Sequence, residues 1–233
     1  MCTVTFLPLN NNNFILTSNR DEQRIRETLP PIVYEEDGIE MLFPKDKIAG
    51  GTWIGISSKN RLVCLLNGAF VKHEKMTSYK KSRGIIAKEV LKSEDVLNYV
   101  ENLNLVGVEP FTMVIVDWNS SNLNLYELVW DEHKKHFNKL KNEPKIWSSS
   151  TLYSNKIKNS RKQWFQNWVE NNEFTSDNIL NFHHSEIGDK GQSILMKRSY
   201  VETVSITSVV KKNENIEMMY EDIVHSENKL VQF

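Results

Sequence analysis

The second residue of this chain is a cysteine, directly behind the initiator methionine. Removal of Met1, which is favoured when residue 2 is small, would leave Cys2 with both a thiol and a free α-amine. In that arrangement the neutral amine takes the proton from the attacking side chain, as in N-terminal-nucleophile catalysis. An α-amine titrates near ~8 and a thiol near ~8.5, which suits such a pair to neutral pH. The position of Cys2 therefore predicts a nucleophile that carries its own base.

A β-hairpin is predicted to bring a charged tetrapeptide at residues 19–22 back toward the N-terminus. Residues 2–9 and 14–18 are apolar and β-branched, as is typical of strands. The asparagine run at 10–13 is typical of a turn, because asparagine tolerates left-handed backbone and bonds its own main chain. The tetrapeptide then follows the second strand.

The hairpin register decides which charge faces the cysteine. If Leu9 pairs with Phe14, Cys2 lies opposite Asp21, and a loop shorter by one residue places it opposite Arg20. Opposed Cβ atoms in an antiparallel ladder lie about 5 Å apart. We therefore expect Arg20 to stabilise the thiolate, Asp21 to orient the α-amine, and both to be more buried than surface charges usually are. The alternative is that Arg20 and Asp21 are ordinary solvated turn charges.

Three motifs occur in order within the first 67 residues: Met1-Cys2-Thr3, Asn19-Arg20-Asp21-Glu22 and Gly50-Gly51-Thr52-Trp53-Ile54-Gly55. Together they resemble the NRDE family, which is named after the tetrapeptide and includes the transport and Golgi organisation protein two homologues. The resemblance implies an α+β fold, the four-layer αββα sandwich of the N-terminal-nucleophile hydrolase type. It also implies distant similarity to choloylglycine hydrolases and penicillin V acylases, which cleave linear amides with an N-terminal cysteine.

The resemblance extends to further candidate site residues. Asn67 ends the strand RLVCLLN, and a side-chain amide there is suited to donate to an oxyanion, unless the residue only begins a turn. Where relatives carry Leu-Ser-Asn, this chain has no amide, so Ser149 or Ser150 would replace that donor. Asn19 and Trp53 are expected to bind substrate.

One departure from the family pattern lies near residue 200. Many relatives have Tyr-Gly-Thr-Arg-Ser-Ser-Thr, whereas this chain has Tyr200-Val201-Glu202-Thr203-Val204-Ser205, without the arginine. Arg198 is a candidate substitute. The departure is compatible with a changed substrate or with lost catalysis.

Composition excludes several function classes. Lys plus Arg at 29 against Asp plus Glu at 30 leaves a net charge of -1, which gives no field for nucleic acid or anionic membranes. No apolar run approaches the ~18 residues of a membrane span, and no signal peptide is apparent, so we expect a cytoplasmic protein. The six histidines lack metal-ligand spacing, which predicts surface or helix-end roles, no metal and no cofactor. Cys64 lies in an apolar strand and is expected to be a buried, inert thiol.

No linker, repeat or long charge block divides the chain, so we expect one domain over residues 1–233. Periodicity predicts an α+β order of strands, helices, strands, helices and strands. Gly50-Gly51 is expected to allow positive φ and close backbone approach, and Trp164, Phe165 and Trp168 to form the core face of a helix. After the first hairpin, strands are predicted at 31–36, 38–43, 52–57, 61–67, 111–118, 123–130, 145–149, 201–210 and 216–220, and helices at 80–92, 93–103, 154–171 and 176–183.

The sequence thus favours a cysteine hydrolase that cleaves a linear amide (C–N) bond of a small-molecule substrate through a thioester. The alternative is a non-catalytic carrier of a hydrophobic small molecule such as haem or an acyl lipid. Metazoan relatives have been linked to haem or lipid handling, and the aromatic series on the third helix is a possible contact for such a ligand.

Overall fold

The computed structural model describes residues 3–119 and 122–233. The strands of this part are β1 (Thr3–Pro8), β2 (Phe14–Glu22), β3 (Thr28–Glu36), β4 (Ile39–Asp46), β5 (Ile54–Ser57), β6 (Arg61–Asn67), β7 (Phe111–Asp117), β8 (Asn124–Trp130), β9 (Lys135–Leu140), β10 (Lys145–Ser148), β11 (Glu202–Lys212), β12 (Asn215–Asp222) and β13 (Glu227–Gln232). Its helices are α1 (Arg83–Lys92), α2 (Val96–Asn102), α3 (Asn155–Asn171) and α4 (Ser176–His183).

Contacts between residues divide the chain into two units, each built on one antiparallel sheet. The first unit takes both chain ends, up to Arg26 and from Glu143 to Phe233, and the second takes Glu27–Asn142. The first sheet has the strand order β10-β1-β2-β11-β12-β13, and the second runs from β3 to β9 in sequence order. Each unit contains one pair of helices. The expectation of a single domain stays a prediction.

The β1–β2 hairpin turns at its asparagines, as the sequence predicts. Asn11 and Asn12 both have φ of 59°, in the left-handed region that asparagine tolerates better than most residues. The N–H of Asn13 bonds the carbonyl of Asn10 at 3.3 Å, which closes a tight turn. Two left-handed central residues match the right-handed twist of the flanking strands, so this turn holds β1 and β2 in one register.

Helices α3 and α4 cover one face of the first sheet. Side chains from β1 and β2 meet aromatic side chains of both helices in a single apolar cluster, which also includes Ile194 and Val210. Phe165 and Trp168 are buried in it, and Trp164 packs against it. The predicted core face of α3 is therefore confirmed. The members of the cluster are Leu7, Ile15, Phe165, Trp168, Ile179, Phe182, Ile194 and Val210.

In the second unit, α1 and α2 follow β6 and pack on the sheet through residues such as Ile86, Val90 and Val100. Asp95 caps α2, because its carboxylate accepts hydrogen bonds from the backbone N–H groups of Leu97 and Asn98. The helix predicted at 93–103 therefore begins at Val96. Cys64 of β6 is fully buried, as expected.

Arg61 joins the second sheet to the end of α1. Its side chain is 1% exposed and forms a 2.9 Å ion pair with Asp117. It also donates to the carbonyls of Val90 and Ser93 at 2.9 and 2.6 Å. These carbonyls lie at the helix C-terminus, where backbone acceptors lack intrahelical donors and a cation is favourable.

Candidate active site

The tetrapeptide at residues 19–22 lies inside β2, which continues to Glu22. The strand end predicted at residue 18 is wrong, because β11 pairs with β2 as far as Glu22 and keeps its backbone groups bonded through the charged residues. Arg20 and Asp21 are each only 3% exposed. The expectation that this pair is buried is confirmed, and the alternative of solvated turn charges is wrong.

The hairpin has the register of the shorter of the two predicted loops. Thr3 pairs with Asn19 and Pro8 with Phe14, and the N–H of Leu9 bonds the carbonyl of Asn13 at 2.8 Å. Cys2 lies outside the described residues, so its predicted contact with the charged pair stays a prediction.

Two hydroxyl groups hold the Asp21 carboxylate. Tyr153 Oη donates to Asp21 Oδ2 at 2.9 Å, and Thr203 Oγ1 donates to Asp21 Oδ1 at 2.6 Å. The backbone N–H of Met196 donates to Thr203 Oγ1 at 3.0 Å. Because that oxygen already accepts one hydrogen bond, its own proton is directed toward Asp21. Both carboxylate oxygens are therefore fixed by separate donors.

The ring of Tyr153 contacts two guanidinium groups. The guanidinium carbon of Arg161 lies 3.7 Å from the ring centroid and that of Arg198 lies 5.3 Å from it. Arg161 is fully buried, and its Nε donates to the carbonyl of Gln192 at 3.0 Å. It also donates to the carbonyl of Ser193. A cation over an aromatic face is attracted by the ring quadrupole, and the attraction is larger where water is excluded.

Arg20 and Asp21 follow one another along β2, so their side chains project from opposite faces of the strand. The Arg20 guanidinium donates to the carbonyl of Arg26 at 3.1 Å. Across the ladder Arg20 pairs with Ser205, next to a register shift between Thr203 and Ser205. Such irregularities re-aim side chains and are frequent beside active sites. One buried strand segment thus carries a cation on one face and an anion on the other.

Asn19 bonds α4 and the loop that follows it. Its amide nitrogen donates to the carbonyls of His183 and Ile194 at 3.1 and 2.9 Å, and its oxygen lies 2.5 Å from His183 Nδ1. His183 Nε2 lies 2.7 Å from Thr5 Oγ1. The amide oxygen can only accept, so Nδ1 carries the imidazole proton and Nε2 accepts from the threonine hydroxyl.

His183 lies at a helix end, one of the two roles predicted for the histidines, but it is buried rather than exposed. The side chain is fully buried at the end of α4. Burial lowers the pKa of His183 to about 3, and the charges of His184 and Arg161 lower it further. Burial disfavours the charged form of an imidazole. His183 is therefore a neutral hydrogen-bonding residue of the core.

Ser149 and Ser150 follow β10, whose last residue, Ser148, pairs with Thr3. Both serines are buried, at 1% and 7% exposure. Lys158 Nζ of α3 donates to Ser150 Oγ at 2.6 Å. Burial lowers the pKa of Lys158, and the charge of Lys162 adds to this effect. The N-terminal end of β1 is thus bordered by hydroxyl groups, one of which is bonded to an ammonium.

Asn67 and Trp53 belong to the second unit. Asn67 is the last residue of β6 and pairs with Phe111, and its side chain is half-buried. Trp53 is 4% exposed and precedes β5. Its carbonyl accepts the backbone N–H of Leu65 at 2.7 Å. The predicted oxyanion and substrate-binding roles of Asn67 and Trp53 stay predictions.

Neither a metal-binding cluster nor a membrane-spanning helix occurs among the described residues. Among residues 3–119 and 122–233, no group of three or more His, Cys, Asp or Glu side chains is placed to hold a metal ion. None of the helices in these two ranges has the length and hydrophobicity needed to cross a membrane.

Sequence reasoning missed the residues that surround Asp21, namely Tyr153, Thr203 and Arg161. Thr203 stands where the pattern of many relatives has an arginine, so the departure from the family pattern marked this position without indicating its contact with Asp21. Arg198, the candidate substitute, donates to the carbonyls of Gly191 and Leu152 at 2.8 and 3.2 Å. Nothing in the sequence near Tyr153 or Arg161 indicates a partner, because the contacts join segments far apart in the chain.

Solved structures with a similar fold include a hydrolase, an acid amidase and an acylase by name. The chain is similar to the conjugated bile acid hydrolase from Clostridium perfringens, with a TM-score of 0.60, 10% identity and coverage of 99% of this chain and 92% of that chain. For the N-acylethanolamine-hydrolyzing acid amidase ortholog of Caenorhabditis elegans, the TM-score is 0.61, the identity 12% and the coverages 90% and 92%. For the penicillin V acylase from Agrobacterium tumefaciens, the TM-score is 0.60 and the identity 9%, with coverage of 100% of this chain and 86% of that chain.

These likenesses confirm the predicted α+β fold of the N-terminal-nucleophile hydrolase type. No curated protein matches the sequence. The resemblance to the NRDE family is confirmed by the family model described as Transport and Golgi organisation 2, which matches residues 1–226. The chain therefore belongs to the Transport and Golgi organisation 2 family.

Proposed function

We propose that this protein is an N-terminal-nucleophile hydrolase that cleaves a linear amide, with Cys2 as the nucleophile. The main support is the buried Arg20–Asp21 pair in the central strand β2. Continuing the β1–β2 register from the Thr3–Asn19 pair by one residue would set residue 2 opposite Arg20. Opposed Cβ atoms lie about 5 Å apart, and a nearby cation favours the thiolate form of a cysteine.

The proposed reaction uses two steps. The Cys2 thiolate attacks the amide carbonyl, the C–N bond breaks, and the α-amine of Cys2 passes the thiol proton to the leaving nitrogen. Water then hydrolyses the thioester, which releases the acid and restores the thiol. Asp21 would bond the α-amine, and Asn67 and a backbone amide would stabilise the oxyanion. Ser149 or Ser150 would supply a further donor, while Asn19 and Trp53 would contact the substrate.

The names of the structural neighbours agree with this chemistry. They include a bile acid conjugate hydrolase, an N-acylethanolamine-hydrolyzing amidase and a penicillin acylase. The Clostridium perfringens hydrolase is also matched as its C2A mutant, so that enzyme has a cysteine at its second position, as this chain has. An amide between an acyl group and an amine is therefore the proposed substrate class.

The test compares Cys2→Ala with Cys64→Ala, which removes the other cysteine. Untagged protein is assayed with N-acyl amides of aminomethylcoumarin that carry short, medium and long acyl chains. We expect Cys2→Ala to lower kcat by at least about 10³-fold, because the covalent intermediate is lost. Cys64 is fully buried in β6, so Cys64→Ala should keep the activity of the wild type.

Mass spectrometry of the intact wild type should show loss of Met1 and an acyl adduct on Cys2. Substrate consumed at the wild-type rate by Cys2→Ala would rule out Cys2 as the nucleophile. Haem or decanoate bound equally by the wild type and Cys2→Ala, with no acyl adduct and no turnover, would support the carrier instead. An uncleaved N-terminal tag should abolish turnover, since it blocks the α-amine.

A further inference from the structure

Both oxygens of the buried Asp21 carboxylate accept hydrogen bonds from hydroxyl groups. Each of its two oxygens accepts from a different hydroxyl, Tyr153 Oη at 2.9 Å and Thr203 Oγ1 at 2.6 Å. All three side chains belong to residues that are 3% exposed. The donors come from the segment before α3 and from β11, two parts of the chain that both follow β2 in the sequence. Rotation of the carboxylate about its Cβ–Cγ bond would break both bonds at once.

Each donor is itself directed at Asp21. The Thr203 hydroxyl accepts the N–H of Met196 at 3.0 Å, which leaves its proton for the carboxylate. The Tyr153 ring lies on the Arg161 guanidinium, whose carbon is 3.7 Å from the ring centroid. A cation on the ring face withdraws electron density and makes the phenol a stronger donor.

Arg161 has an unusual set of partners for a buried cation. It is fully buried, and its hydrogen bonds in the described structure go to neutral oxygens only: the carbonyls of Gln192 and Ser193 and the hydroxyl of Thr3. A buried charge is costly unless it is compensated. Through the Tyr153 ring and hydroxyl, Arg161 is linked to the negative charge of Asp21.

We propose that Tyr153 and Thr203 are positioning residues that fix the orientation of the Asp21 carboxylate, and that Arg161 acts on it through the Tyr153 ring. The inference rests on the proposed function, in which Asp21 orients the α-amine of Cys2. An ionised carboxylate has about four acceptor positions, and the two hydroxyls use one position on each oxygen. The two hydroxyls then decide which lone pairs face the nucleophile.

A positioning role and a purely structural role predict different effects on kcat, KM and the pH–rate profile. Loss of one hydroxyl removes one of the two hydroxyl bonds that oppose rotation of the carboxylate, and a misplacement of about 1 Å at a reacting group costs about 10²-fold in rate. The substrate itself is not touched, so kcat should fall while KM stays within about twofold. The α-ammonium of Cys2 also loses part of its support from the Asp21 carboxylate, so the α-amine should give up its proton more readily and the acid limb of the pH–rate profile should move to lower pH.

The experiment uses three single variants of the full chain. Tyr153→Phe removes only the phenol oxygen, Thr203→Val removes the hydroxyl at nearly constant shape, and Thr203→Ser keeps the hydroxyl. Tyr126→Phe, at a buried tyrosine of β8 in the second unit, is the matched control. Two quantities are measured over a range of pH: turnover of the aminomethylcoumarin amide that the wild type cleaves best, and iodoacetamide alkylation of Cys2 by peptide mass.

We expect Tyr153→Phe and Thr203→Val to lower kcat about 10- to 100-fold and to shift the acid limb of both profiles. Thr203→Ser should recover most of the loss, and Tyr126→Phe should match the wild type. Cys64 is fully buried, so its alkylation reports unfolding of a variant and separates misfolding from misplacement.

Wild-type kcat and pH profiles in both Tyr153→Phe and Thr203→Val would overturn the inference while leaving the proposed function intact. Equal losses in Thr203→Val and Thr203→Ser would also overturn it, because the hydroxyl would then be irrelevant. The wild type could cleave no amide while Tyr153→Phe still shifts the pH profile of Cys2 alkylation. That outcome would overturn the proposed hydrolase function and support the positioning of Asp21.

Discussion

Both polar atoms of the Asn19 side chain form hydrogen bonds that connect β2 to the end of α4 and the loop after it. Its amide nitrogen bonds the carbonyls of His183 and Ile194, and its oxygen bonds the His183 ring. Because Arg20 and Asp21 follow directly, this contact fixes the backbone from which both charged side chains project. We therefore propose a positioning role for Asn19, while its contact with substrate stays a prediction.

The buried His183 makes stability depend on pH. Its pKa is about 3 in the folded state and about 6.5 when unfolded. Above the unfolded pKa both states are neutral, and the contribution to stability is complete. As the pH falls from about 6.5 toward 3, the unfolded state binds a proton that the folded state excludes, so stability is lost. Between pH 7.5 and 5.0 this amounts to about 2 kcal/mol.

Urea denaturation of the wild type and His183→Asn at these two pH values measures the contribution. His183→Asn has no imidazole to protonate, so its loss of stability between the two values should be smaller by about 2 kcal/mol. The exposed His133 provides the control, and His133→Asn should keep the full dependence. The same pH dependence in the wild type and His183→Asn would contradict this origin.

The sequence predicted that the charged pair of the site is buried, but it predicted neither the strand that carries the pair nor the partners of Asp21. The burial of Arg20 and Asp21 followed from counting along a hairpin, in which residues close in sequence decide the pairing. The partners of Asp21 lie 132 and 182 positions away along the chain, at Tyr153 and Thr203. Periodicity within a strand or helix carries no information on such contacts, so these residues required the structure.

At the scale of elements, Gly51 decides how α1 lies against the segment before β5. A Cβ built on Gly51 would be 2.6 Å from the carbonyl carbon and 2.8 Å from the Cα of Gly84, near the start of α1. Gly50 has φ of 68°, in the left-handed region. Both properties predicted for this glycine pair are confirmed. The atoms that a side chain would meet belong to the backbone, so the helix itself would have to move.

Gly51→Ala should therefore destabilise the protein by about 1 to 3 kcal/mol, the usual cost of forcing an extra carbon into a packed contact. Gly191→Ala is the matched control: its Cβ would meet nothing closer than 3.8 Å. That variant should stay within about 0.5 kcal/mol of the wild type. Urea midpoints of the two variants give the comparison, and equal midpoints would show that α1 shifts without cost.

The predicted elements agree with the structure best where nearly all residues of a strand are buried, as in β6 and β7, or where a helix buries one face, as in α3. Two strands were missed, β9 (KHFNKL) and β13 (ENKLVQ), which lie at sheet edges and carry mostly polar residues. An edge strand needs few apolar side chains, because its order comes from the ladder it joins. Composition therefore did not indicate either strand.

At the scale of the whole molecule, the two units differ in how far apart their paired strands lie in sequence. In the second unit each strand pairs with its neighbour in the chain, from β3 to β9. In the first unit β2 pairs with β11, and the contact between Thr17 and Ser208 spans 191 positions. Closing a longer loop costs more conformational entropy before any contact is gained, and folding slows as contacts become less local.

We therefore expect the second unit to form before the β2–β11 pairing during refolding. In pulse-labelled hydrogen exchange after dilution from urea, the amides of β6 and β7 should gain protection earlier than those of β2 and β11. Neither pair of strands lies at a sheet edge, so unequal exposure of the native amides does not explain a difference in timing. Simultaneous protection of all four strands would show one cooperative step, and earlier protection of β2 and β11 would show that loop closure does not limit the rate. If the expected order holds, Arg20 and Asp21 reach their buried positions only in the later step, because β11 completes the ladder around them.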